Sequence, residues 1–310
     1  MQTVLGAVFC VALIALVIIT GKMRRKAVQK VFEQYREKDF SYTLVFGGYD
    51  WGPGIEKIIL NVGPDAGNFT EEDLEPEKFT VMVKSEGNDS DGNLPVKRAC
   101  LCDIDGNEIM KSEDEDAESV PDSEASAATH IALEIEPERG NPLTAPFVYD
   151  ETGTGMRWKK TYDFTVSHPR FEKNMTECSD WFSPDAQKFR EIKTDAGITA
   201  FAFSPDNEKD GSKHPVIVCR LGGKCSGDVA LTVLENNMTP LVKEKVQSCL
   251  GGAFVVCVQG ESVSAEQTKK IADQFIKKHP AADKADICSV DFSGGAESVG
   301  KWISEEVKND

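Results

Sequence analysis

One serine stands in a context that suits nucleophilic chemistry. Ser293 lies in the stretch DFSGG, residues 291–295, which follows an apolar strand-like run and leads into a helix-like segment. A nucleophile elbow has this context, and its sharp strand-to-helix turn needs small residues two positions before and two positions after the serine. Gly295 supplies one of these positions, whereas Asp291 occupies the other. The pattern predicts Ser293 as a catalytic nucleophile, and a plain helix entry is the simpler alternative.

A glycine-rich segment is placed to supply the oxyanion hole that such a serine needs. Residues 220–228, RLGGKCSGD, follow the apolar run PVIVC, which is typical of a buried strand. Backbone N–H groups from this loop and from the residue after the nucleophile can together hold an oxyanion. We predict Gly223 and Gly294 as these two donors. The alternative, that the glycines only permit tight turns, stays open.

The general base is harder to find. The four histidines, His130, His168, His214 and His279, are widely spaced. His214 precedes its predicted strand and His279 follows a predicted helix, so both are expected at the sheet edge opposite Ser293. Seventeen residues follow Ser293. Because a base must come within hydrogen-bond reach of the serine, we do not expect efficient serine hydrolysis.

The elements that would position these residues fall into two domains. Residues 40–168 carry short apolar runs separated by turn residues, which predicts an all-β antiparallel sandwich with a solvated acidic loop over 111–129. Residues 169–184 are predicted as a linker. Residues 185–310 alternate strand-like and helix-like runs, which predicts an α/β domain with a mainly parallel sheet that is opened by a hairpin around residues 195–197.

Two local signals in these domains are specific. Residues 103–107, DIDGN, supply turn residues for a hairpin, and Gly106 falls at the wrong position for a calcium-binding EF-hand loop. Ser264 and Gln267 form a capping box, which predicts a helix from Ala265 to Lys278.

An apolar segment at the N-terminus predicts a membrane anchor. Residues 4–20 are seventeen residues without a charge, close to the shortest length that spans a bilayer as a helix. Residues 1–39 are therefore predicted as a transmembrane helix followed by a juxtamembrane helix. Basic residues such as Arg24 and Arg25 follow the segment. The positive-inside rule then predicts a single-pass protein of the cell membrane with its main part in the cytoplasm, and an extracellular main part is the alternative.

Composition excludes several classes of partner and cofactor. The formal net charge of -17 argues against nucleic acid, because phosphate binding needs clustered basic residues. The nine cysteines show no CxxC spacing, and several lie inside apolar runs. They are therefore interpreted as buried thiols rather than zinc ligands. We predict no cofactor and no metal.

Both halves resemble bacterial two-domain esterases. In these proteins an immunoglobulin-like domain precedes an α/β-hydrolase domain similar to polyhydroxybutyrate depolymerases and predicted peptidases. In the first half the similar stretches include YDWGP, EKIILNVG, CDIDGNEI and IALEIEPERGNPL. In the second half, HPVIVCRLGGKCSGD takes the place of the strand and oxyanion loop, and DICSVDFSGGAES that of the serine elbow. The resemblance implies an ester or amide as substrate.

Departures from the family pattern argue against full activity. Leu221-Gly222 stands where the family has His-Gly, and Asp291 stands where it has a glycine. The family's acid and histidine follow the serine, so the hydrolase domain resembles one truncated after its elbow. We therefore predict an α/β-hydrolase-like protein that is weakly active or inactive. The alternatives are an active serine esterase or peptidase whose remaining triad lies outside these 310 residues, and a non-catalytic binding or scaffold protein. A strand ending at Phe292 also predicts self-association through an exposed sheet edge.

Overall fold

The computed structural model describes residues 40–49, 51–86, 91–109, 129–149, 156–194, 198–221, 228–259 and 263–291. Four predicted features lie outside the described residues: the membrane segment 4–20, the juxtamembrane helix, residues 111–128 of the acidic loop and the helix-like segment that follows Ser293.

The prediction of a membrane-spanning protein is corrected. Within the ranges given above, no helix is long and apolar enough to cross a bilayer. The described structure therefore does not support the predicted fold with an N-terminal transmembrane helix, or the single-pass location in the cell membrane derived from it.

The first half of the chain folds into two facing β-sheets. The first sheet has the order β10-β1-β2-β6-β5, the second has the order β4-β3-β9, and β7 and β8 form a separate hairpin. Leu44, Ile58 and Leu133 of the first sheet share one buried core with Val81 and Phe164 of the second. The strands are β1 (Ser41–Tyr49), β2 (Gly52–Asn61), β3 (Thr80–Ser85), β4 (Gly92–Leu94), β5 (Arg98–Cys102), β6 (His130–Glu134), β7 (Phe147–Tyr149), β8 (Met156–Trp158), β9 (Tyr162–Ser167) and β10 (Cys178–Phe182).

Strand β10 lies in the segment predicted as a linker. It pairs in parallel with β1, so that Leu44 lies opposite Trp181 and Val45 opposite Phe182. The Trp181 side chain packs against the core of the first half and also against the core of the second half. This segment therefore completes one sheet and joins the two cores.

The second half of the chain forms a third sheet with helices on both faces. Its strand order is β11-β12-β14-β13-β15. Val233 and Leu234 of α1 cover one face, whereas Ile271 and Phe275 of α3 cover the other. The elements are β11 (Arg190–Ile192), β12 (Ala200–Phe203), β13 (His214–Leu221), α1 (Val229–Glu235), α2 (Glu244–Cys249), β14 (Phe254–Gln259), α3 (Ala265–Lys278) and β15 (Ala282–Asp291).

The predicted α/β fold with a mainly parallel sheet is also corrected. β13 pairs in parallel with β14 and with β15. β12, however, pairs antiparallel with β14, and it pairs antiparallel with β11 in the hairpin that the sequence predicts. The sheet is therefore mixed, and the described residues form fifteen strands but only three α-helices. The sequence misled because an apolar run that is buried on both faces looks the same in either strand direction.

One lysine is buried at the end of the second sheet. Lys159 is 8% exposed, and its Nζ donates to Ser85 Oγ at 2.6 Å and to the Pro142 carbonyl at 2.5 Å. Burial, only partly offset by the Glu86 carboxylate, lowers the pKa of Lys159 to about 8. The folded protein therefore holds this proton less tightly than the unfolded chain, where a lysine pKa is about 10.4.

We expect this lysine to make stability depend on pH in the alkaline range. Because its pKa is lower in the folded state, the Lys159 contribution to stability improves as pH rises from about 8 to about 10.4. Lys159→Met should remove that part of the pH dependence, measured by urea unfolding at pH 7.5, 8.5 and 9.5. If the free energy of unfolding changes with pH by the same amount in wild type and variant, burial does not lower the pKa of Lys159 as described here.

Candidate active site

The predicted nucleophile and oxyanion loop leave the third sheet from neighbouring strands. Leu221 at the end of β13 lies opposite Gln259 at the end of β14, and Arg220 lies opposite Asp291 at the end of β15. Three parallel strands thus end at one edge. Gly223, Ser293 and Gly294 themselves lie outside the described residues, so the structure places only the strand ends that precede them.

An ion pair connects two of these strand ends. The Arg220 guanidinium donates to the Asp291 carboxylate through Nη2. Its Nη1 donates to the Val263 carbonyl at 3.0 Å, just before α3 begins. Arg220 therefore joins β13, β15 and the entry to α3 at the edge where β15 ends, just before the predicted elbow. Asp291 is the residue that stands where the esterase pattern has a glycine, so its side chain has a structural partner here.

Two histidines lie at the opposite edge of the same sheet. His214 is the first residue of β13, and its backbone N–H donates to the Ala281 carbonyl. His279 follows α3, and its ring lies 5.6 Å from the ring of Phe254, the first residue of β14. The sequence-based prediction that both lie at the amino-terminal edge is confirmed. Since a strand advances about 3.3 Å per residue, β13 separates its two ends by roughly 23 Å.

A carboxylate–histidine pair is present, but it lies at the amino-terminal edge of the sheet, opposite the end of β15 that precedes Ser293. His214 Nε2 is 3.3 Å from Asp210 Oδ1, while Nδ1 donates to the Gly251 carbonyl at 3.2 Å. The ring is only 2% exposed. A triad needs such a pair within about 3 Å of the serine hydroxyl, a reach that the length of β13 far exceeds.

The other two histidines belong to the first half of the chain. His130 begins β6, and its Nδ1 is 2.7 Å from Thr129 Oγ1. His168 follows β9, with Nε2 donating to the Asp73 carbonyl at 2.9 Å and Nδ1 accepting from the Arg170 N–H at 3.2 Å. Burial lowers the pKa of His168. Both imidazole rings therefore form hydrogen bonds within the first half of the chain.

The cysteines in the described strands are mostly buried thiols, as the sequence predicts. Cys219 and Cys257 lie opposite each other on β13 and β14, and both side chains are 0% exposed. A hydrogen bond with Cys219, together with burial, raises the pKa of the Cys257 thiol. Cys100 and Cys102 are buried on one face of β5, whereas Cys178 and Cys249 are exposed. Thiols with raised pKa values make poor nucleophiles.

The described part of the chain offers no metal site. None of its clusters of histidine, cysteine and acidic side chains is suited to hold an ion. In the DIDGN segment, Asp103 Oδ1 accepts from the backbone N–H groups of Asp105 and Asn107, each at 2.9 Å. Its Oδ2 accepts from the Asn107 side chain at 3.0 Å. The carboxylate closes a turn, in agreement with the prediction.

Comparison with known proteins identifies the fold. No protein-family model matches the chain, and no curated protein matches it. Among solved structures, the crystal structure of a thermostable esterase matches with a TM-score of 0.56 and 16% sequence identity, over 82% of this chain and 71% of the esterase chain. The fold is therefore esterase-like. At this identity the likeness concerns the fold alone.

Sequence reasoning missed the residue that organises this edge. In the sequence, Arg220 is only the first residue of a glycine-rich loop, and Asp291 is only an unsuitable residue for an elbow. Two opposite charges at the ends of apolar strands are a usable signal, because parallel neighbours end at the same edge. The signal needs the strand order, however, and the two residues are 71 positions apart.

Proposed function

We propose that this chain is an esterase-like protein in which Ser293 hydrolyses esters or amides slowly or not at all. One observation carries the proposal: both histidines of the third sheet lie at the edge opposite the end of β15. The finer resemblance, to esterases with an immunoglobulin-like domain before a polyhydroxybutyrate depolymerase-like domain, belongs to the same proposal. In this proposal Gly223 and Gly294 would be the oxyanion donors.

The ion pair at the end of β15 supports the proposal that hydrolysis by Ser293 is weak. A nucleophile elbow needs a small residue at position 291 so that the turn can close tightly. Here the Asp291 side chain is held by Arg220, and Arg220 is held in turn by the Val263 carbonyl. These contacts stabilise the end of the strand, and they hold a larger side chain at the position where an elbow needs a small one. Without a base, the serine hydroxyl also stays protonated and is a poor nucleophile at neutral pH.

Ester turnover tests the proposal. The full chain and Ser293→Ala should hydrolyse p-nitrophenyl acetate with kcat/KM values that differ by less than about tenfold, whereas loss of a working nucleophile costs about 10⁶-fold in kcat. Ser289→Ala, a change in the exposed part of β15, serves as the matched control. A thousandfold loss in Ser293→Ala alone would show that an efficient hydrolase is present.

We also propose weak self-association through β15. This strand is the last in the described order of the third sheet, and Ile287 on it is 41% exposed. Between the pairings of His214 with Ala282 and Val216 with Ile287, however, β15 carries three extra residues that form a bulge. Bulges and charged residues blunt sheet edges, and Asp283, Lys284 and Asp286 supply the charges here. The part of β15 suited to pairing is therefore the strand around the exposed Ile287.

Light scattering as a function of concentration tests this edge. We expect a reversible rise in mean mass with concentration for the wild type, and a constant monomer mass for Ile287→Lys, because a charge on the exposed edge opposes pairing. Met82→Lys changes another exposed apolar residue, 45% exposed on β3, and should leave the association unchanged. A wild-type protein that stays monomeric at all concentrations contradicts the proposal.

A further inference from the structure

A surface loop at the amino-terminal edge of the third sheet contacts one buried histidine. The loop, residues 204–213, connects β12 to β13, and its residues from Asp206 to Lys213 are exposed apart from the half-buried Glu208. β13 begins directly after it at His214, whose side chain is 2% exposed. The Asp210 carboxylate on the loop reaches this ring, with Oδ1 3.3 Å from Nε2. An exposed segment is thus tied to a side chain that belongs to the interior.

Both nitrogens of the His214 ring face oxygen atoms that can only accept a hydrogen bond. Nδ1 lies 3.2 Å from the Gly251 carbonyl oxygen, and Nε2 lies 3.3 Å from Asp210 Oδ1. A neutral imidazole has a single N–H, so it donates to one of these oxygens and turns a lone pair towards the other. The imidazolium form has an N–H on each nitrogen. Only this form donates to both partners.

The loop itself keeps the Asp210 carboxylate ionised. Asp210 Oδ1 accepts from the backbone N–H of Ser212 at 2.7 Å. This hydrogen bond is the main cause that lowers the pKa of Asp210, and the Ser212 hydroxyl and His214 act in the same direction. An ionised carboxylate has no proton to offer the ring. The proton between Asp210 and His214 must therefore come from the imidazole.

The other elements around the ring bring no further charge into contact with it in the described part of the chain. Phe254 of β14 meets the His214 ring edge-on at 6.2 Å, and the Ala281 carbonyl accepts only the backbone N–H of His214. The remaining titratable groups at this edge are His279, Glu208, Lys278 and Lys213. The charges of Glu208 and Lys278 act on His279, and Lys213 Nζ donates to the Pro280 carbonyl.

We propose that the His214 ring carries a proton on both nitrogens and acts as a charged latch between the 204–213 loop and the turn at Gly251, and that the loop is released when the ring loses one of these protons. With the latch closed, the loop also packs against Gly252, where an added Cβ would lie 2.3 Å from Asn207 Oδ1. Loss of the proton removes one charge-assisted hydrogen bond and leaves a lone pair facing an oxygen. The latch does not involve Ser293, so it stands or falls separately from the proposed function.

Limited proteolysis of the full chain with trypsin, which cuts after Lys209 and Lys213 in the loop, tests the latch. When opening and closing are fast, cleavage follows the population of the open form. Each rate is divided by that of a free peptide of residues 204–214, which corrects for the pH dependence of the protease. We expect the corrected rate to rise about threefold to tenfold from pH 6 to pH 8.5, the range that loss of one hydrogen bond supplies.

The ring ¹⁵N chemical shifts count the protons on His214 directly. Both nitrogens should be protonated at pH 6, and one should lose its proton over the pH range in which cleavage accelerates. Asp210→Asn should abolish the pH dependence of cleavage, because an amide can donate as well as accept and no longer requires an imidazolium.

Asp206→Asn is the matched control, since it neutralises another exposed carboxylate of the same loop and should keep the wild-type pH dependence. The proposal is overturned if only one nitrogen of His214 is protonated at pH 6, or if the corrected cleavage rate of the wild type does not change with pH. It is also overturned if Asp206→Asn abolishes the pH dependence as Asp210→Asn does.

Discussion

Replacing Phe254 with alanine is expected to lower the free energy of unfolding by about 3–5 kcal/mol, the usual cost of truncating a buried phenylalanine. Phe254 begins β14 and is 0% exposed. Its ring lies edge-on against Phe275 and His279 of the α3 end and against His214 at the start of β13. Removing it leaves a cavity where two strands and a helix meet. Equilibrium unfolding in urea measures the loss.

The same variant has a second readout in His279. Burial lowers the pKa of this imidazole in the intact protein. Its contribution to stability is therefore present above its unfolded pKa, near 6.5, and is lost as pH falls below that value. Opening the cavity to water should raise the pKa of His279 towards 6.5, observed by NMR titration. Phe254→Leu, which keeps most of the volume, should lose less stability and shift this pKa less.

An unchanged pKa of His279 in Phe254→Ala, together with a loss of stability below about 1 kcal/mol, would contradict the packing described at this edge. It would also contradict the ring contacts that hold the His279 side chain at this edge of the third sheet.

Gly48→Ala is expected to destabilise the protein by about 1–3 kcal/mol, the usual cost of overpacking a tight contact. Gly48 lies in β1, and an added Cβ would lie 1.6 Å from Thr239 Oγ1 and 2.7 Å from Thr239 Cβ. Thr239 is 0% exposed, so it cannot move aside into solvent. The glycine thus lets the first sheet approach the turn before α2 in the second half of the chain.

The neighbouring glycine provides the matched control. A Cβ at Gly47 would meet the Glu56 side chain, with Oε1 at 1.7 Å, and that longer side chain can rotate away. The cost should be about 1 kcal/mol, mainly from the lost hydrogen bond that the Tyr49 hydroxyl donates to Glu56. In the double variant with Gly48→Ala, Thr239→Ala should recover only part of the loss, because its Cβ remains. Equal costs for Gly47→Ala and Gly48→Ala would contradict a close approach at Thr239.

Elements with strong local signals were predictable from the sequence. The helix from Ala265 to Lys278 is observed with the predicted bounds, and both hydrogen bonds of the Ser264 and Gln267 capping box are present. The turn at residues 103–107 forms as its Asp and Gly residues indicate. In each case the determining contacts lie within five residues, where sequence spacing fixes geometry.

Elements that depend on distant partners were not predictable. β10 is a strand because it pairs with β1, 136 residues away. Its own sequence, CSDWF, has no clear alternation. The pairing of β12 with β14 depends in the same way on a strand that is distant in the sequence. α1 has only seven residues, too few for a period to stand out.

The candidate site was only partly predictable, because some of its features are local in the sequence and others depend on distant partners. Strand ends and glycine-rich segments can be read from the sequence, so the edge from which Ser293 and Gly223 depart was expected. The ion pair of Arg220 with Asp291 depends on strand order and was not. The positions of His214 and His279 followed from topology, because a residue before a parallel strand lies at the edge opposite the strand's end.

Labelling with a fluorophosphonate probe, followed by intact mass and peptide mass spectrometry, tests the central claim most directly. This reagent reacts with serines that a neighbouring base activates. Since His214 lies roughly 23 Å from the end of β13 that adjoins the end of β15, and His279 lies at the same edge of the sheet as His214, we expect no adduct on Ser293 under conditions that fully label an active serine esterase. Stoichiometric labelling of Ser293 that is lost in Ser293→Ala would contradict the account.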